Sequence, residues 1–112
     1  MKAGIVVYRR SGTSLAGEWA HADTGGVLAK ETVHDVRADT WEGDWPVEIL
    51  TPDGQLLFAG RLNSVRLGDC LRLAWQGNFL QDNKPGTFQG LGRALGDDLM
   101  VASFEQTESE AK

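Results

Sequence analysis

A chain of 112 residues holds one domain with no room for a second core, and at this size it folds without needing a metal or disulfides. Sixteen acidic residues against eleven basic ones give a net charge of −5, whose field repels phosphate backbones and anionic lipid, so nucleic acid and membrane surfaces are poor expectations. The single Cys70 cannot form an internal bridge, and with no export signal visible it points to a reducing cytoplasm.

The opening MKAGIVVYRRSG carries one early Lys and an apolar run ending at Arg9 and Arg10, too short for a signal peptide or a membrane span. Fourteen glycines and little helical periodicity argue for short strands joined by tight turns. Strands are expected from Ala3 to Arg9, Leu15 to Ala22 and Val27 to His34, the last two joined across Asp23-Thr24-Gly25-Gly26. Asp35 to Asp44 is the least regular connection. Trp41 and Trp45 lie one helical turn apart there, and Gly43 and Pro46 limit any helix to a single turn over one end of the sheet. Trp45, Val47 and Ile49 then alternate with polar or turn residues, Pro52-Asp53-Gly54 reverses the chain, and Leu56, Phe58, Gly60 and Leu62 alternate again. That is the pattern of a hairpin with one packed face.

The stretch RLGDCLRLAW (Arg66 to Trp75) is echoed by ALGDDLMVAS (Ala94 to Ser103). Gly68-Asp69 and Gly96-Asp97 read as hairpin turns, joining Gly60–Leu67 to Cys70–Gln76 and Thr87–Leu95 to Asp98–Glu105. Between them a loop from Gly77 to Gly86 carries Phe79, Asp82, Asn83, Lys84 and Pro85. A solenoid or propeller would need more copies, so the repeat is one local solution used twice. From Gln106 onward the chain is polar and charged, which sets a domain over residues 1–105 and a disordered acidic tail over 106–112. The sum is an all-β protein: an antiparallel meander of about eight strands closing into a small barrel. A two-sheet sandwich is the alternative. Closure removes unpaired edges, and an unclosed sheet could join two copies as a homodimer.

Leu15-Ala16-Gly17-Glu18-Trp19 contains Gly-x-Trp, and with the strand count around it the chain resembles calycin barrels such as lipocalins and avidins. That resemblance implies that Trp19 closes one end of the barrel while the lumen binds a small apolar molecule. The chain is shorter than a typical lipocalin and shows no second lipocalin signature. Together with the Trp45 region and the terminal GLGRALGDDL hairpin, it also looks like small bacterial lipocalin-like barrels, among them a regulator type that binds another protein. Fold alone does not transfer function.

His21, Asp23, His34 and Asp35 suit a transition metal by type. If Thr24-Gly25 forms a two-residue loop, however, the two histidines stand about 20 Å apart along the ladder, and no metal site is expected. The same register sets Glu18 opposite Glu31 on the face of Ala16, Ala20, Ala22, Val27, Ala29 and Val33. Two carboxylates facing one lumen would raise one pKa and form an acid/base pair. A one-residue slip separates them, and if that face looks outward, Leu15, Trp19 and Leu28 become the core. Cys70 beside Asp69 is no activated thiolate. Gly90, Gly92 and Gly96 depart from a phosphate-loop spacing and read as strand bending. Arg61, Arg66, Arg72 and Arg93 leave room for a local basic face.

These observations lead to a binding protein without catalysis and without a cofactor, in two versions. In one, the aromatic-acidic loops present Trp41, Trp45 and Phe79 to a protein partner, as a regulator would, unless Trp41 or Trp45 simply caps the barrel. In the other, a lumen lined by Trp19, Trp75, Val47 and Ile49 holds a small apolar ligand. The enzymatic alternative uses Glu18 and Glu31.

Overall fold

The computed structural model describes residues 3–22, 25–37 and 39–107. Eight strands follow in order: β1 (Ala3–Ser11), β2 (Ser14–His21), β3 (Ala29–Val33), β4 (Gly43–Leu50), β5 (Leu56–Leu67), β6 (Cys70–Phe79), β7 (Pro85–Ala94) and β8 (Leu99–Thr107). Each pairs antiparallel with the next, and β1 also pairs with β8 from Ala3↔Glu105 to Arg9↔Leu99, so the sheet closes into a barrel. Closure rules out the two-sheet sandwich. It also leaves no free edge among the described strands through which two copies could pair. No helix among the described residues is long and apolar enough to cross a membrane.

Period-two patterning explains the wall. On β6 Leu71, Leu73 and Trp75 point inward and are buried, while Arg72 and Gln76 are exposed. On β2 Leu15, Gly17 and Trp19 are inside, and Ala16 and Glu18 outside. Each large apolar side chain fully buried this way contributes about 1.5–3 kcal/mol.

Several boundaries differ from expectation. The two repeat copies turn differently: Leu67 pairs with Cys70 across Gly68-Asp69, whereas the Leu95 amide bonds to the Leu99 carbonyl at 2.8 Å and leaves Gly96, Asp97 and Asp98 in the loop. Asp98, the counterpart of Cys70, therefore lies outside the outgoing strand. β6 and β7 run further than the loop glycines suggested, shrinking the connection to residues 80–84 and placing Phe79 on a strand. β8 reaches Thr107, two residues into the segment expected as tail; residues 108–112 lie outside the described residues. Among the described residues around Trp41 no helical turn forms. Trp45 belongs to β4 and points inward in strand register, which buries its ring better than a helical turn on the rim would.

Trp41 and Trp45 plug one end of the barrel, the end of the β1–β2, β3–β4, β5–β6 and β7–β8 connections. Both are buried, at 8% and 4% exposure. The Trp41 indole N–H donates to the Gly96 carbonyl at 3.3 Å, and the Arg10 guanidinium lies 4.3 Å from the ring centroid. Arg10 also donates to the carbonyls of Asp97, Arg37 and Thr40, tying the β7–β8 and β3–β4 connections to β1. From below, Ser64 donates to the Trp41 carbonyl at 2.6 Å.

Candidate functional site: an aromatic lumen with a buried carboxylate

The opposite end is open and leads to a cavity of about 320 Å³. Its wall takes Trp19 and His21 from β2, Glu31 from β3, Ile49 from β4, Leu57 and Phe58 from β5, Trp75 and Phe79 from β6, Phe88 from β7, and Phe104 and Gln106 from β8. The rings form a continuous chain. His21 stacks on Trp19 at 5.8 Å, Trp19 meets Phe104 edge-on at 6.2 Å, Phe104 meets both Trp75 and Phe88, and Phe88 meets Phe58 and Phe79. Such edge-to-face contacts add about 0.5–1.5 kcal/mol each beyond burial. At the rim the pairing shifts from Ile49↔Phe58 to Leu50↔Leu56. This bulge leaves Leu57 as an extra residue and turns it into the opening beside Phe58.

Glu31 is the one polar side chain in the cavity floor, 4% exposed. Its Oε2 accepts two hydrogen bonds, from the Tyr8 hydroxyl at 2.5 Å and the Trp75 indole N–H at 3.0 Å. No buried side-chain oxygen among the described residues lacks a partner. Since both bonds to Glu31 end on Oε2, Oε1 is the atom that meets the cavity. Burial lifts the Glu31 carboxyl from 4.5 to about 7, against the pull of the Tyr8 and Trp75 hydrogen bonds. Burial, and then the facing carboxylate, push the Tyr8 phenol well above its ordinary value.

Gly17 makes this pair possible. It stands between Tyr8 on β1 and Glu31 on β3, in register with both. A methyl group there would lie 3.0 Å from the Tyr8 ring and 3.2 Å from the Glu31 Cβ. Gly17→Ala should therefore cost about 1–3 kcal/mol in urea unfolding by overpacking. A neutral substitution would mean that the gap does not position the pair.

The expected Glu18–Glu31 pairing is not what forms. Glu18 pairs with Lys30, and Glu31 stands opposite Gly17. An even-numbered loop between β2 and β3 would have put the two glutamates face to face; the observed register differs by one residue, which sends them to opposite sides of the wall. The connection from the end of β2 at His21 to the start of β3 at Ala29 is longer than a two-residue turn, and Gly25 and Gly26 both have positive φ in it. Glu18 ends in an exposed ion pair with Lys30 at 3.1 Å. The small-residue face accordingly does not line the lumen. Ala16 and Val27 are exposed, Ala29 and Val33 are core, and Leu28 is 53% exposed rather than buried.

Of the remaining expected site residues, Trp19, Trp75 and Ile49 do line the cavity, and Val47 is core. Trp19 walls the open end, with its indole N–H on the Lys30 carbonyl at 3.1 Å. The plugging that the family resemblance implied for it is done by Trp41 and Trp45, because β2 runs from the plugged end at Ser14 toward the open one at His21. Trp41, Trp45 and Phe79 therefore form no common surface: two seal one end and Phe79 faces the opening at the other. His34 pairs with Glu48 on the surface, away from His21, and no group of three metal-ligating side chains occurs among the described residues; Asp23 lies outside them. Arg61 and Arg66 sit in exposed ion pairs with Asp44 and Glu42, which thins the basic face. Tyr8, Phe88 and Phe104 were not anticipated. A short β1–β2 turn at Gly12-Thr13 would have set Tyr8 opposite Gly17 and exposed the first of them. Compared with family models, curated proteins and solved structures, the chain has no match in any of the three.

Proposed function

We propose that this protein binds one small amphipathic molecule in the lumen of a lipocalin-like barrel and performs no chemistry on it. The observation that carries the reading is the inequality of the two ends. Tryptophans plug one, while the other opens on about 320 Å³ of aromatic-walled space with a single buried carboxylate. Ligand sites commonly enclose about 300–1,000 Å³, mostly apolar with few polar groups. The eight-stranded meander and Gly17-x-Trp19 support the lipocalin-like kinship. The free, half-buried Cys70 suits a reducing, cytoplasmic setting. Recognition of a protein partner through Trp41, Trp45 and Phe79 has less behind it, since two of those rings are spent inside. An acid/base pair of Glu18 and Glu31 has no geometry to work with.

The test uses N-phenyl-1-naphthylamine, a neutral dye that brightens in dry apolar sites. Saturable one-to-one binding is expected in the native protein. It should be lost in Ile49→Trp, which fills the cavity, while the β-sheet circular dichroism is retained. Absence of saturable binding to the native protein would overturn the reading.

A further inference from the structure

Glu31 is out of place in a simple apolar pocket. Moving a carboxylate from water into such an interior costs several kcal/mol unless charge and hydrogen bonds compensate it. Tyr8 and Trp75 supply two neutral donors to Oε2 and hold the group rigidly. They supply no charge, and among the described residues Glu31 takes part in no ion pair with Lys, Arg or His. Below about pH 7 Glu31 avoids the cost by keeping its proton; once it is ionised, the compensating positive charge would have to come from the molecule in the cavity. Trp19, Trp75, Phe88 and Phe104 line the same cavity as Glu31, and an aromatic face attracts a desolvated cation by about 2 kcal/mol or more. The protein's net charge of −5 favours the approach of cations from a distance.

We propose that the lumen is selective for a small organic cation, an ammonium group on an aromatic or aliphatic body, whose N–H donates to Glu31 Oε1 while the body packs against the aromatic wall. This rests on the lumenal-binding reading and adds the ligand's chemical class to it. A carboxylate ligand would meet the ionised Glu31 and be rejected. A neutral alcohol would donate one hydrogen bond and leave the charge uncompensated.

Three probes of similar size distinguish these cases by displacement of bound N-phenyl-1-naphthylamine at pH 8: 2-phenylethylamine, 2-phenylethanol and 3-phenylpropionate. The ammonium is expected to compete at least about tenfold better than the alcohol, and the carboxylate worse than both, since charge-assisted hydrogen bonds are roughly twice as strong as neutral ones. In Glu31→Gln the ammonium should lose its advantage. A measurement on the unaltered protein stands beside the variant. Between pH 5.5 and pH 8 the ammonium keeps its proton and Glu31 gives its own up, so affinity should rise about thirtyfold while that of the alcohol stays flat. His21 is the other titratable side chain lining the cavity, and Tyr8 lies against Glu31 from β1. Protonated His21 would also oppose a cation, so the same pH series is run on Glu31→Gln, and only the difference between the two proteins counts as Glu31's. Equal competition by alcohol and ammonium with dye binding intact would overturn the cation proposal and leave lumenal binding standing. Failure of the dye itself to bind would overturn both.

Discussion

Glu31→Gln should stabilise the protein above neutral pH, by about 3 kcal/mol at pH 8, and change little at pH 4.5. Glu31 titrates near 7 in the folded chain against 4.5 for an ordinary glutamate, because burial disfavours its charged form. Between those values the folded protein keeps a proton that the unfolded chain has released. The stabilisation is thus complete below about pH 4.5, declines as pH rises, and is gone above about 7. Gln cannot ionise, yet its carbonyl can still accept from Tyr8 and Trp75, so the variant avoids the loss. Urea unfolding of both proteins from pH 4.5 to 8 reads the difference directly, with the other titrating groups common to both. A variant less stable than the native protein at every pH would show that the two hydrogen bonds to the charged carboxylate outweigh its burial. A carboxylate retained at a net cost in stability is what a binding site, rather than a core, would keep.

Trp41→Ala should unfold the protein about 3–5 kcal/mol more easily, the cost of emptying a large buried aromatic site. In a domain of this size that lowers Tm by more than about 10 °C. The ring closes the barrel end, holds Gly96 through its N–H, and carries Arg10 on its face, and Arg10 in turn ties down Arg37, Thr40 and Asp97. Trp41→Phe keeps most of the packing and loses the bond to Gly96, so a smaller loss is expected. Both are read by thermal unfolding. A change below about 0.5 kcal/mol for Trp41→Ala, as for an exposed position, would return Trp41 to the role of an external recognition residue. The lumen lies at the other end, so wherever Trp41→Phe folds it should bind N-phenyl-1-naphthylamine as the native protein does.

Much of the barrel is legible in the sequence. Alternation over Leu71, Leu73 and Trp75, or over Trp45, Val47 and Ile49, marks which residues share a face, because successive side chains on a strand point to opposite sides. Asp53-Gly54 and Gly68-Asp69 mark reversals, because glycine takes the positive φ these turns use. Eight short strands in one domain then favour closure over open edges. Trp19, Trp75 and Ile49 followed from the same reasoning as lumen residues.

The site itself did not follow, and Glu31 shows why. Period-two patterning says that Glu31 shares a face with Ala29 and Val33, but not which face of the neighbouring strand lies alongside. That depends on the number of residues in the β2–β3 loop, and one residue moves Glu31 from the company of Glu18 to that of Tyr8, Gly17 and Trp75. Trp75 is 44 residues away in sequence, and only closure of the sheet brings β6 across from β3. Phe79 moves from an expected loop to a strand for the related reason that a loop and a strand end look alike in a glycine-rich stretch, whereas Trp41 lies in the connection where it is expected. Local chemistry made the strands and turns of this protein; the register between strands and the closing of the barrel, both long-range, put a carboxylate at the bottom of an aromatic well.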